Sequence, residues 1–288
     1  MDPVTATPTT LPSTDLELAT VLGNLGDRLT GVRRLGVAFS GGVDSSLLLA
    51  LAAKTLGAGQ VVALLGVSPS LAADERVAAH AVAGAVGVAV VEVATYEGER
   101  PEYQANGPDR CFHCKDELFS RIDDEVVATH RLDAVAYGEN ADDAVRPDRP
   151  GSRAATTHAV LRPLADLGLT KSDVRRLART LGLAVADKPA APCLASRIPH
   201  HEPVTPEKLR QIDSAESALR GLGLQDLRVR HHGDVARVEL LAEDLPRAVA
   251  EPLRSDLLAA VRRAGFRFVT LDLAGIQSGA FTLPLVTR

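Results

Sequence analysis

Three cysteines are the residues of this sequence most suited to chemistry. Cys111 and Cys114 lie in the segment RCFHCK, and Cys193 lies in the segment PCLASRIP; the 288-residue chain contains no other cysteine. A pair at this spacing can form a disulfide, bind a metal or a cluster, act as a redox couple, or simply pack. An odd number of thiols cannot be fully paired within one chain, so a structural disulfide is the weakest of these interpretations.

The remaining interpretations of the Cys111 and Cys114 pair stay open from the residues alone. A structural zinc site usually has four ligands, so zinc would require His113 to turn inward or a distant histidine to join. A thioredoxin-like couple is disfavoured because the motif follows the polar segment YQANGPDR instead of closing a first βαβ unit. Cluster binding, a redox or persulfide role, zinc binding and packing therefore all remain possible.

A second group of residues is suited to binding phosphate. The segment SGGVDSS, residues 40–46, lies between a predicted buried strand and a predicted helix. Gly41 and Gly42 allow a sharp turn, and the hydroxyls of Ser40 and Ser45 join the amides of the helix N-terminus in a cradle for an anion. The Walker lysine pattern and the G-x-G-x-x-G pattern are both absent. The segment therefore predicts a phosphate site of neither the P-loop nor the dinucleotide type.

The elements that must position these residues follow an α/β rhythm. The sequence predicts buried strands at 33–39, 61–67 and 88–93, with helices at 43–57 and 71–87 between them. Apolar strands that alternate with helices are typical of a parallel sheet covered on both faces, the doubly wound α/β class. A further strand is predicted at 133–138, and a helix at 170–182 with Thr170 as its N-cap.

The chain divides into four predicted regions. They are a Thr/Pro-rich disordered tail at 1–15, an α/β domain with the phosphate loop at 16–185, a connector at 186–206 and a small α+β domain at 207–288. The connector carries five prolines and Cys193. The last region is expected to contain a helix, a β-hairpin around Gly233 and Asp234, a helical stretch interrupted at Pro252, and a final strand.

Composition narrows the class of protein. With 45% hydrophobic and 24% charged residues the chain is expected to be globular. No stretch approaches about 18 uninterrupted apolar residues, and the N-terminus lacks the pattern of a signal peptide, so a cytoplasmic protein without membrane spans is predicted. A net charge of -5 disfavours an extended nucleic-acid surface.

The segment SGGVDSS after a first strand resembles the PP-loop of the ATP pyrophosphatase superfamily, which includes NAD and GMP synthetases, asparagine synthetase and tRNA thiolation enzymes. The resemblance implies that ATP is cleaved between its α and β phosphates, usually with Mg²⁺, and that the substrate is adenylated. Asp44 would contact Mg²⁺, which takes few protein carboxylates and keeps several waters. The residues implied to hold the pyrophosphate end of ATP are Ser40, Gly41, Gly42, Asp44, Ser45 and Ser46.

Further segments resemble the LarE family of ATP-dependent sulfur transferases. These are YGENADD (137–143), the RPG segment with Arg149, PLADLGLTKSDVRRLARTLGL (163–183), DKPAAPCLASRIP (187–199) and AESALRGLGLQDLRVRHHGDVARVEL (215–240). The resemblance extends from about residue 16 to the C-terminal segment LDLAGIQSGAF. It implies adenylation of a carboxylate of pyridinium-3,5-biscarboxylic acid mononucleotide, release of AMP, and formation of a thiocarboxylate for the nickel-pincer nucleotide of lactate racemase.

Two branches of that family differ in the source of sulfur. In one, the cysteine that matches Cys193 gives up its own sulfur and becomes dehydroalanine. In the other, three cysteines hold a 4Fe-4S cluster whose open iron carries an extra sulfide. Because this chain adds Cys111 and Cys114 to Cys193, it resembles the second branch, which would need a supply of sulfide or another sulfur donor. The resemblance also suggests a homo-oligomer.

The substrate of such an enzyme carries a phosphate, which favours bidentate contacts with arginine. Arg228 and Arg230 lie two apart on a predicted strand and therefore share a face. The residues predicted to contact substrate or ATP are Arg197, Arg228, Arg230, Arg237, Glu216, Glu239, Asp142 and Asp143. The alternative for the arginines of this group, and for Glu216 and Glu239, is a solvated charged surface.

Two other functions compete with a sulfur transferase of nickel-pincer biosynthesis. A PP-loop tRNA thiolation enzyme would share the adenylation step, but the acidic chain shows no clear basic patch for RNA. A nucleotide-binding sensor without catalysis would use the same fold. The three cysteines beside the phosphate loop argue against the sensor.

Overall fold

The computed structural model describes residues 13–145 and 150–276. Most of the predicted tail, the segment around Arg149 and the end of the C-terminal family segment lie outside these ranges. The first helix begins at Ser13, within the last three residues of the region predicted to be a tail. Within these ranges, no helix is long and apolar enough to span a membrane.

A parallel sheet of four strands forms the centre of the N-terminal region. Its strands are β1 Leu35–Ala38, β2 Val61–Val67, β3 Ala89–Ala94 and β4 Ala134–Tyr137. They lie in the spatial order β3-β2-β1-β4, and all three pairings are parallel. The order reverses direction at β1, because β2 and β4 lie on opposite sides of it. The carboxyl end of β1, where the phosphate loop begins, is therefore at the switch point where α/β sheets bind ligands.

Helices cover both faces of this sheet. The helices of the N-terminal region are α1 Ser13–Arg28, α2 Val43–Leu56, α3 Ala73–Val86, α4 Pro101–Gln104, α5 Arg110–Arg121, α6 Val127–His130, α7 Ala141–Ala144, α8 Pro150–Thr157, α9 Pro163–Asp166 and α10 Lys171–Thr180. A π-helical turn, Ile122–Val126, joins α5 to α6. The core of one face draws on α1, α2, α3 and α10, and the core of the other on α5 and α8. The predicted doubly wound α/β class is confirmed.

Apolar burial holds the phosphate loop's helix in place. Leu47, Leu48, Leu49 and Leu51 on α2 are fully buried, and each contributes about 1.5–3 kcal/mol relative to an exposed side chain. Gly57, with φ of 90°, ends the helix where the sequence predicts. Thr170 is the N-cap of α10, as predicted, and it also exchanges hydrogen bonds with Asp173 in a capping box.

The C-terminal region forms a second, smaller sheet. Its strands are β5 Leu227–His232, β6 Val235–Leu240 and β7 Phe268–Leu271, and its helices are α11 Pro206–Gly221, α12 Leu245–Ala248 and α13 Leu253–Arg263. β5 and β6 form the predicted antiparallel hairpin, and β7 adds a parallel strand. Pro252 separates α12 from α13, as its sequence position suggests.

The connector between the two sheets is packed and carries a short 3₁₀ turn, Leu194–Arg197. Leu194, Ala195 and Ile198 are buried in a small apolar cluster with Tyr103 of α4 and residues of α11. Cys114 packs against the same cluster. The segment after Cys193 is therefore anchored to the helical region that carries the other two cysteines.

His158, which follows α8, joins α8 to α5 through carboxylates. Its ring nitrogens lie 2.7 Å from Asp123 and 3.1 Å from Asp116. Burial lowers the pKa of His158, but the hydrogen bonds to Asp123 and Asp116 outweigh that effect and the pKa is raised. The stabilisation is thus fully present below the unfolded-state pKa of about 6.5 and is lost as pH rises through the folded pKa.

The contribution of His158 to the free energy of unfolding is therefore expected to fall as the pH rises above about 6.5 in the wild type. In His158→Gln the free energy of unfolding should fall less over that range, because glutamine does not titrate. Urea unfolding across that pH range measures the difference. Equal slopes in both proteins would show that this histidine does not contribute to the pH dependence.

Candidate active site

The phosphate loop adopts the turn that its glycines allow. Gly41 has φ of 70°, and a Cβ there would lie 3.0 Å from Ala79 of α3, so the loop lies directly on a helix. The Ser45 hydroxyl donates to the Gly42 carbonyl at 3.1 Å and accepts from the Ser40 amide at 3.2 Å. No side chain caps the start of α2. Its first amides are therefore available to an anion.

Ser46 differs from the other residues predicted in this loop. It is fully buried, and its hydroxyl has no hydrogen-bond partner among the described residues. Ser40, Gly42, Asp44 and Ser45 line a cavity beside the loop. Ser46 therefore lies beneath the loop instead of facing that cavity.

Gly138, which follows β4, approaches the loop more closely than a side chain permits. A Cβ on Gly138 would lie 2.7 Å from the Ser45 amide nitrogen and 2.8 Å from the Asp44 carbonyl carbon. Both are backbone atoms that cannot turn aside. The absence of a side chain at residue 138 is thus a condition for the shape of the phosphate loop.

Gly138→Ala is expected to weaken ATP binding at least about fivefold, because relieving such an overlap costs about 1–3 kcal/mol and about 1.4 kcal/mol is a factor of ten. Calorimetric titration with ATP measures the effect. Gly84→Ala is the matched control: Gly84 lies in α3 with open space around it, so alanine there should leave ATP binding unchanged. ATP affinity equal to wild type in the Gly138 variant would contradict the steric argument.

Asp44, the predicted Mg²⁺ contact, has two partners. Its carboxylate forms an ion pair with Lys171 at the start of α10 and accepts a hydrogen bond of 2.9 Å from the Asn140 amide. Lys171 is not among the residues that the sequence assigned to the site. The only signal for it is its position directly after the Thr170 cap, within a segment that resembles the family.

Asp142 and Asp143 follow β4, and they form different hydrogen bonds. Asp142 is exposed and accepts a hydrogen bond of 2.8 Å from the Lys171 amide, so it holds the start of α10. Asp143 exchanges hydrogen bonds with Asn140, the N-cap of α7, and lines the cavity beside the phosphate loop. The expectation that both lie at the carboxyl end of a strand agrees with their place after β4.

At least two cavities adjoin the phosphate loop among the described residues. The first, of about 210 Å³, lies between the loop, α5 and the end of β4, and its walls include Lys115, Tyr137 and Glu139. The second, of about 530 Å³, extends from Ser40 and Asp44 to Cys193 and Arg197. The predicted phosphate site and Cys193 therefore open into one shared space.

Arg197 fixes the backbone around Cys193. One nitrogen of its guanidinium group donates to the Pro192 carbonyl at 2.6 Å and to the Cys193 carbonyl at 3.3 Å. Its other two nitrogens donate to Glu216 at 2.8 and 3.1 Å. With 6% of its surface exposed, Arg197 belongs to the wall behind Cys193.

Two further arginines hold the same turn from other elements. Arg230 of β5 donates to the Ser196 carbonyl at 2.9 Å, and Arg110 of α5 donates to the Ala195 carbonyl at 2.9 Å. Together with Arg197, they contact the carbonyls of four of the five residues from 192 to 196. The exception is Leu194, whose amide donates to the Ser70 carbonyl. The connector's own backbone has little regular structure, so these side chains determine its path.

Glu216 and Glu239 are fully buried. Glu216 accepts from Arg197 and from the Val229 amide, the latter at 3.0 Å. Glu239 accepts two hydrogen bonds of 2.9 Å from Arg230. The alternative of solvated surface charges is therefore wrong for both residues, and each has an arginine as its direct partner.

The remaining predicted arginines lie on the same small sheet. Arg237 pairs with Glu239 at 3.2 Å and with Asp272. Arg228 is only 9% exposed; burial, and then the nearby Arg230 and Arg197, lower its pKa. A cavity of about 190 Å³ reaches Arg228 from Arg197 and Lys188. A solvated arginine surface does not describe this cluster.

Asn106 joins the two cysteine-bearing segments and was not predicted from the sequence. Its buried side-chain amide donates to the carbonyls of Ile198, Pro199 and Glu202 at 3.3, 2.8 and 3.0 Å. Its oxygen accepts from Arg110 at 2.5 Å. Arg110 directly precedes Cys111 on α5, so one hydrogen-bond network spans both segments.

The three thiols influence one another electrostatically. Burial raises the pKa of Cys114, and the charges of Glu97, Cys193 and Cys111 raise it further. Cys111 and Cys193 are both exposed. The fold thus brings Cys193 into the neighbourhood of the pair on α5, although 79 residues separate it from Cys114 in sequence.

No metal-holding group is assembled in the two described ranges, where no three His, Cys, Asp or Glu side chains take a suitable arrangement. The donor type nevertheless suits iron, because Cys thiolates are the usual ligands of iron–sulfur clusters. Glu97, the carboxylate whose charge acts on Cys114, already accepts a hydrogen bond of 2.5 Å from the Ser68 hydroxyl.

The parallel sheet, its glycine-rich loop and the adjoining cavities define an ATP-using α/β enzyme of the PP-loop type. Residues 23–107 match the asparagine synthase domain family. The chain is 40% identical over 91% of its length to an uncharacterized protein of Synechocystis sp., of which it covers 97%. It is 33% identical, again over 91% of its length, to the pyridinium-3,5-bisthiocarboxylic acid mononucleotide synthase of Lactiplantibacillus plantarum, covering 94% of that protein.

A third relative, an uncharacterized protein of Methanocaldococcus jannaschii, is 29% identical over 58% of the chain and 64% of its own length. The similarity to the Lactiplantibacillus enzyme spans both sheets and the connector. This chain belongs to the LarE family. The family expected from the sequence motifs is therefore confirmed.

Proposed function

We propose that this protein is an ATP-dependent sulfur transferase that converts a carboxylate of pyridinium-3,5-biscarboxylic acid mononucleotide into a thiocarboxylate for nickel-pincer nucleotide biosynthesis. The observation that carries the proposal is the cavity of about 530 Å³ that both the phosphate loop and Cys193 line. An acyl group activated at the loop can meet sulfur there without leaving the protein. The printed function of the Lactiplantibacillus relative supports the choice of substrate.

The first step is adenylation. A carboxylate oxygen of the substrate attacks the α-phosphorus of ATP, the bond to the β-phosphate oxygen breaks, and pyrophosphate leaves. The amides at the start of α2 and the Ser40 and Ser45 hydroxyls would bind the departing phosphates. Asp44 presents a carboxylate of the kind that Mg²⁺ takes, and bound Mg²⁺ would offset charge on the phosphates.

The second step transfers sulfur to the acyl-adenylate. A sulfur nucleophile attacks the acyl carbon, the bond to the AMP phosphate oxygen breaks, and AMP leaves. If Cys193 is the nucleophile, a thioester forms. Loss of the Cα proton with cleavage of the Cβ–S bond then yields the thiocarboxylate and dehydroalanine. Arg197 would keep the Cys193 backbone in place during either route, because it donates to the carbonyls of Pro192 and Cys193, which flank the Cα of Cys193.

Cys111, Cys114 and Cys193 would be the ligands of a 4Fe-4S cluster, which would leave one iron open. When bound, such a cluster would supply a coordinated sulfide as the sulfur donor, so that Cys193 keeps its own sulfur. The protein would also provide the positive charge of Arg110, a buried side chain that interacts electrostatically with all three thiols. Location in the cytoplasm and assembly as a homo-oligomer remain predictions.

The proposal is tested by ATP–pyrophosphate exchange with the pyridinium biscarboxylate mononucleotide as acceptor, followed by mass spectrometry of the product. Exchange that depends on this acceptor and a thiocarboxylate product are expected. Exchange that depends on tRNA would favour the thiolation alternative, and exchange with neither would favour a nucleotide-binding sensor.

The source of sulfur is decided by anaerobic purification with iron and sulfide analysis. Iron and sulfide bound to the protein, with more than one turnover per chain when sulfide is supplied, is the expected result. Iron-free protein that acts once per chain and ends with dehydroalanine at residue 193 would contradict the cluster.

A further inference from the structure

Two cavities of the candidate site meet along a shared wall. The first, of about 530 Å³, is lined by the phosphate loop and Cys193, and the second, of about 190 Å³, reaches Arg228. We call their shared wall the junction. The charged residues of the described ranges that line both cavities are Glu75, Lys188, Arg197 and Arg220. A ligand that extends from one cavity into the other must pass these side chains.

Two cations of the junction already have close partners within the protein. The Lys188 ammonium lies 2.6 Å from the Glu75 carboxylate. Each of the three guanidinium nitrogens of Arg197 donates a hydrogen bond, two of them to Glu216 and the third to the Pro192 carbonyl. A ligand that took either cation would therefore break a contact that holds the connector in place.

Arg220, near the C-terminal end of α11, is held less completely. Its Nη2 donates to Glu216 at 3.3 Å, and its Nη1 lies 3.4 Å from the Asp74 carboxylate. Nη1 is buried, yet it has no hydrogen-bond partner in the described part of the chain. A buried donor without a partner costs about 1–3 kcal/mol. Because both carboxylate contacts are long and 24% of the side chain is exposed, the guanidinium group can turn toward an acceptor in the cavities.

We propose that Arg220 binds the second carboxylate of the substrate, the one that is not being adenylated. The inference rests on the proposed function and names how that site recognises a pyridinium ring with two carboxylates. In the proposed reaction one carboxylate meets ATP at the phosphate loop, and the phosphate of the substrate is expected toward Arg228. A ring held between these two ends lies at the junction, so its second carboxylate requires a partner there.

The charges of the junction explain why that partner is Arg220. A carboxylate that leaves water without a hydrogen-bonded cation pays a desolvation penalty of several kcal/mol. Glu75 would repel it, and the charge of Lys188 only balances Glu75. A guanidinium group offers parallel N–H donors that match a carboxylate. A ring with one carboxylate leaves the Arg220 donor unsatisfied, so the site should discriminate against it.

The test compares two pyridinium mononucleotides that differ only in the second carboxylate. Calorimetric titrations of the full-length protein with the 3,5-biscarboxylic acid and the 3-carboxylic acid mononucleotides, without ATP, would be run on wild type and Arg220→Met. In wild type the biscarboxylate is expected to bind at least about tenfold more tightly. In Arg220→Met its affinity should fall about 10- to 100-fold, about 1.4–2.8 kcal/mol, while that of the monocarboxylate changes less than about threefold.

Arg210→Met is the matched control. Arg210 lies on the same helix, pairs with Glu207 at 3.1 Å on the exposed surface, and lines neither cavity, so both affinities should stay unchanged. Arg220→Lys keeps a charge beside Glu216 but lacks the parallel donors, so its preference should lie between those of wild type and Arg220→Met. This variant decides the question if Arg220→Met does not fold.

Equal affinity of wild type for the two mononucleotides would overturn the proposal, and so would the full wild-type preference in either Arg220 variant. An equal loss of affinity for both ligands in Arg220→Met would also overturn it. Both ligands carry the phosphate, so that pattern indicates either contact with the phosphate or general distortion of the site.

These titrations are separable from the test of the proposed function, which measures exchange and product. If Arg220→Met loses the preference for the biscarboxylate but the wild type forms no thiocarboxylate, the proposed reaction is wrong and the role of Arg220 in binding stands. If thiocarboxylate forms while the preference is absent or does not depend on Arg220, only the role of Arg220 fails.

Discussion

Replacement of Cys193 with alanine is expected to abolish thiocarboxylate formation while acceptor-dependent ATP–pyrophosphate exchange stays within about threefold of wild type. Adenylation needs the phosphate loop and not a thiol. Sulfur transfer fails in Cys193→Ala on either route, because the residue is the sulfur donor in one and a proposed cluster ligand in the other. Exchange kinetics and product mass measure the two steps separately.

Cys193→Ser is the matched control for shape, since it keeps the size of the side chain but offers no sulfur. It should show the same separation of the two steps. Thiocarboxylate formation at the wild-type rate in either variant would remove Cys193 from the mechanism. Cys111→Ala then distinguishes the routes: it should abolish turnover and iron binding if a cluster is used, and leave a single turnover intact if Cys193 donates its own sulfur.

Glu216→Gln is expected to lower the free energy of unfolding by about 3–5 kcal/mol, because it leaves the buried Arg197 charge without its ionic partner. Glu216 is fully buried and accepts two hydrogen bonds from Arg197. The same arginine holds the Pro192 and Cys193 carbonyls. If Arg197 is held less firmly, the backbone around Cys193 should be less well positioned, and sulfur transfer should also fall. Urea unfolding and product formation measure the two effects.

Glu207→Gln on the same helix is the control for this change. Glu207 pairs with Arg210 at 3.1 Å, but both side chains are more than two-thirds exposed, at 69% and 68%. Such pairs contribute about 0–1 kcal/mol, so little change is expected. If the Glu216 and Glu207 variants unfold at the same denaturant concentration, the buried pair does not stabilise the connector as argued.

Local sequence patterns predicted the strands, helix caps and turns well, because these features depend on residues that lie close together in the sequence. The β2 strand occupies 61–67 as expected, since a continuous apolar run between turns favours a buried strand. The α10 helix has the predicted cap, because Thr170 and Asp173 are close enough in sequence to bond each other. Gly233 turns the chain between β5 and β6 with a positive φ, a conformation that glycine adopts without a partner elsewhere in the chain.

Local sequence patterns could not predict which charged residues pair with each other. Nothing local links Lys171 to Asp44, or Glu216 to Arg197, and a carboxylate on a helix is more often exposed than buried. The same holds for Asn106, whose single side chain contacts three carbonyls more than 90 positions away. Only the folded chain shows which of these groups face each other.

Residue type, short spacing and apolar periodicity predicted the α/β class, the phosphate loop at 40–46 and the three candidate thiols. The resemblance of the longer motifs to a known family indicated the family. The tertiary structure decided that the loop and Cys193 share a cavity, that Arg197, Glu216, Arg230 and Glu239 form buried ion pairs, and that Lys171 reaches Asp44. Those relations join residues far apart in the chain, and they exist only once packing of both sheets brings the distant segments together.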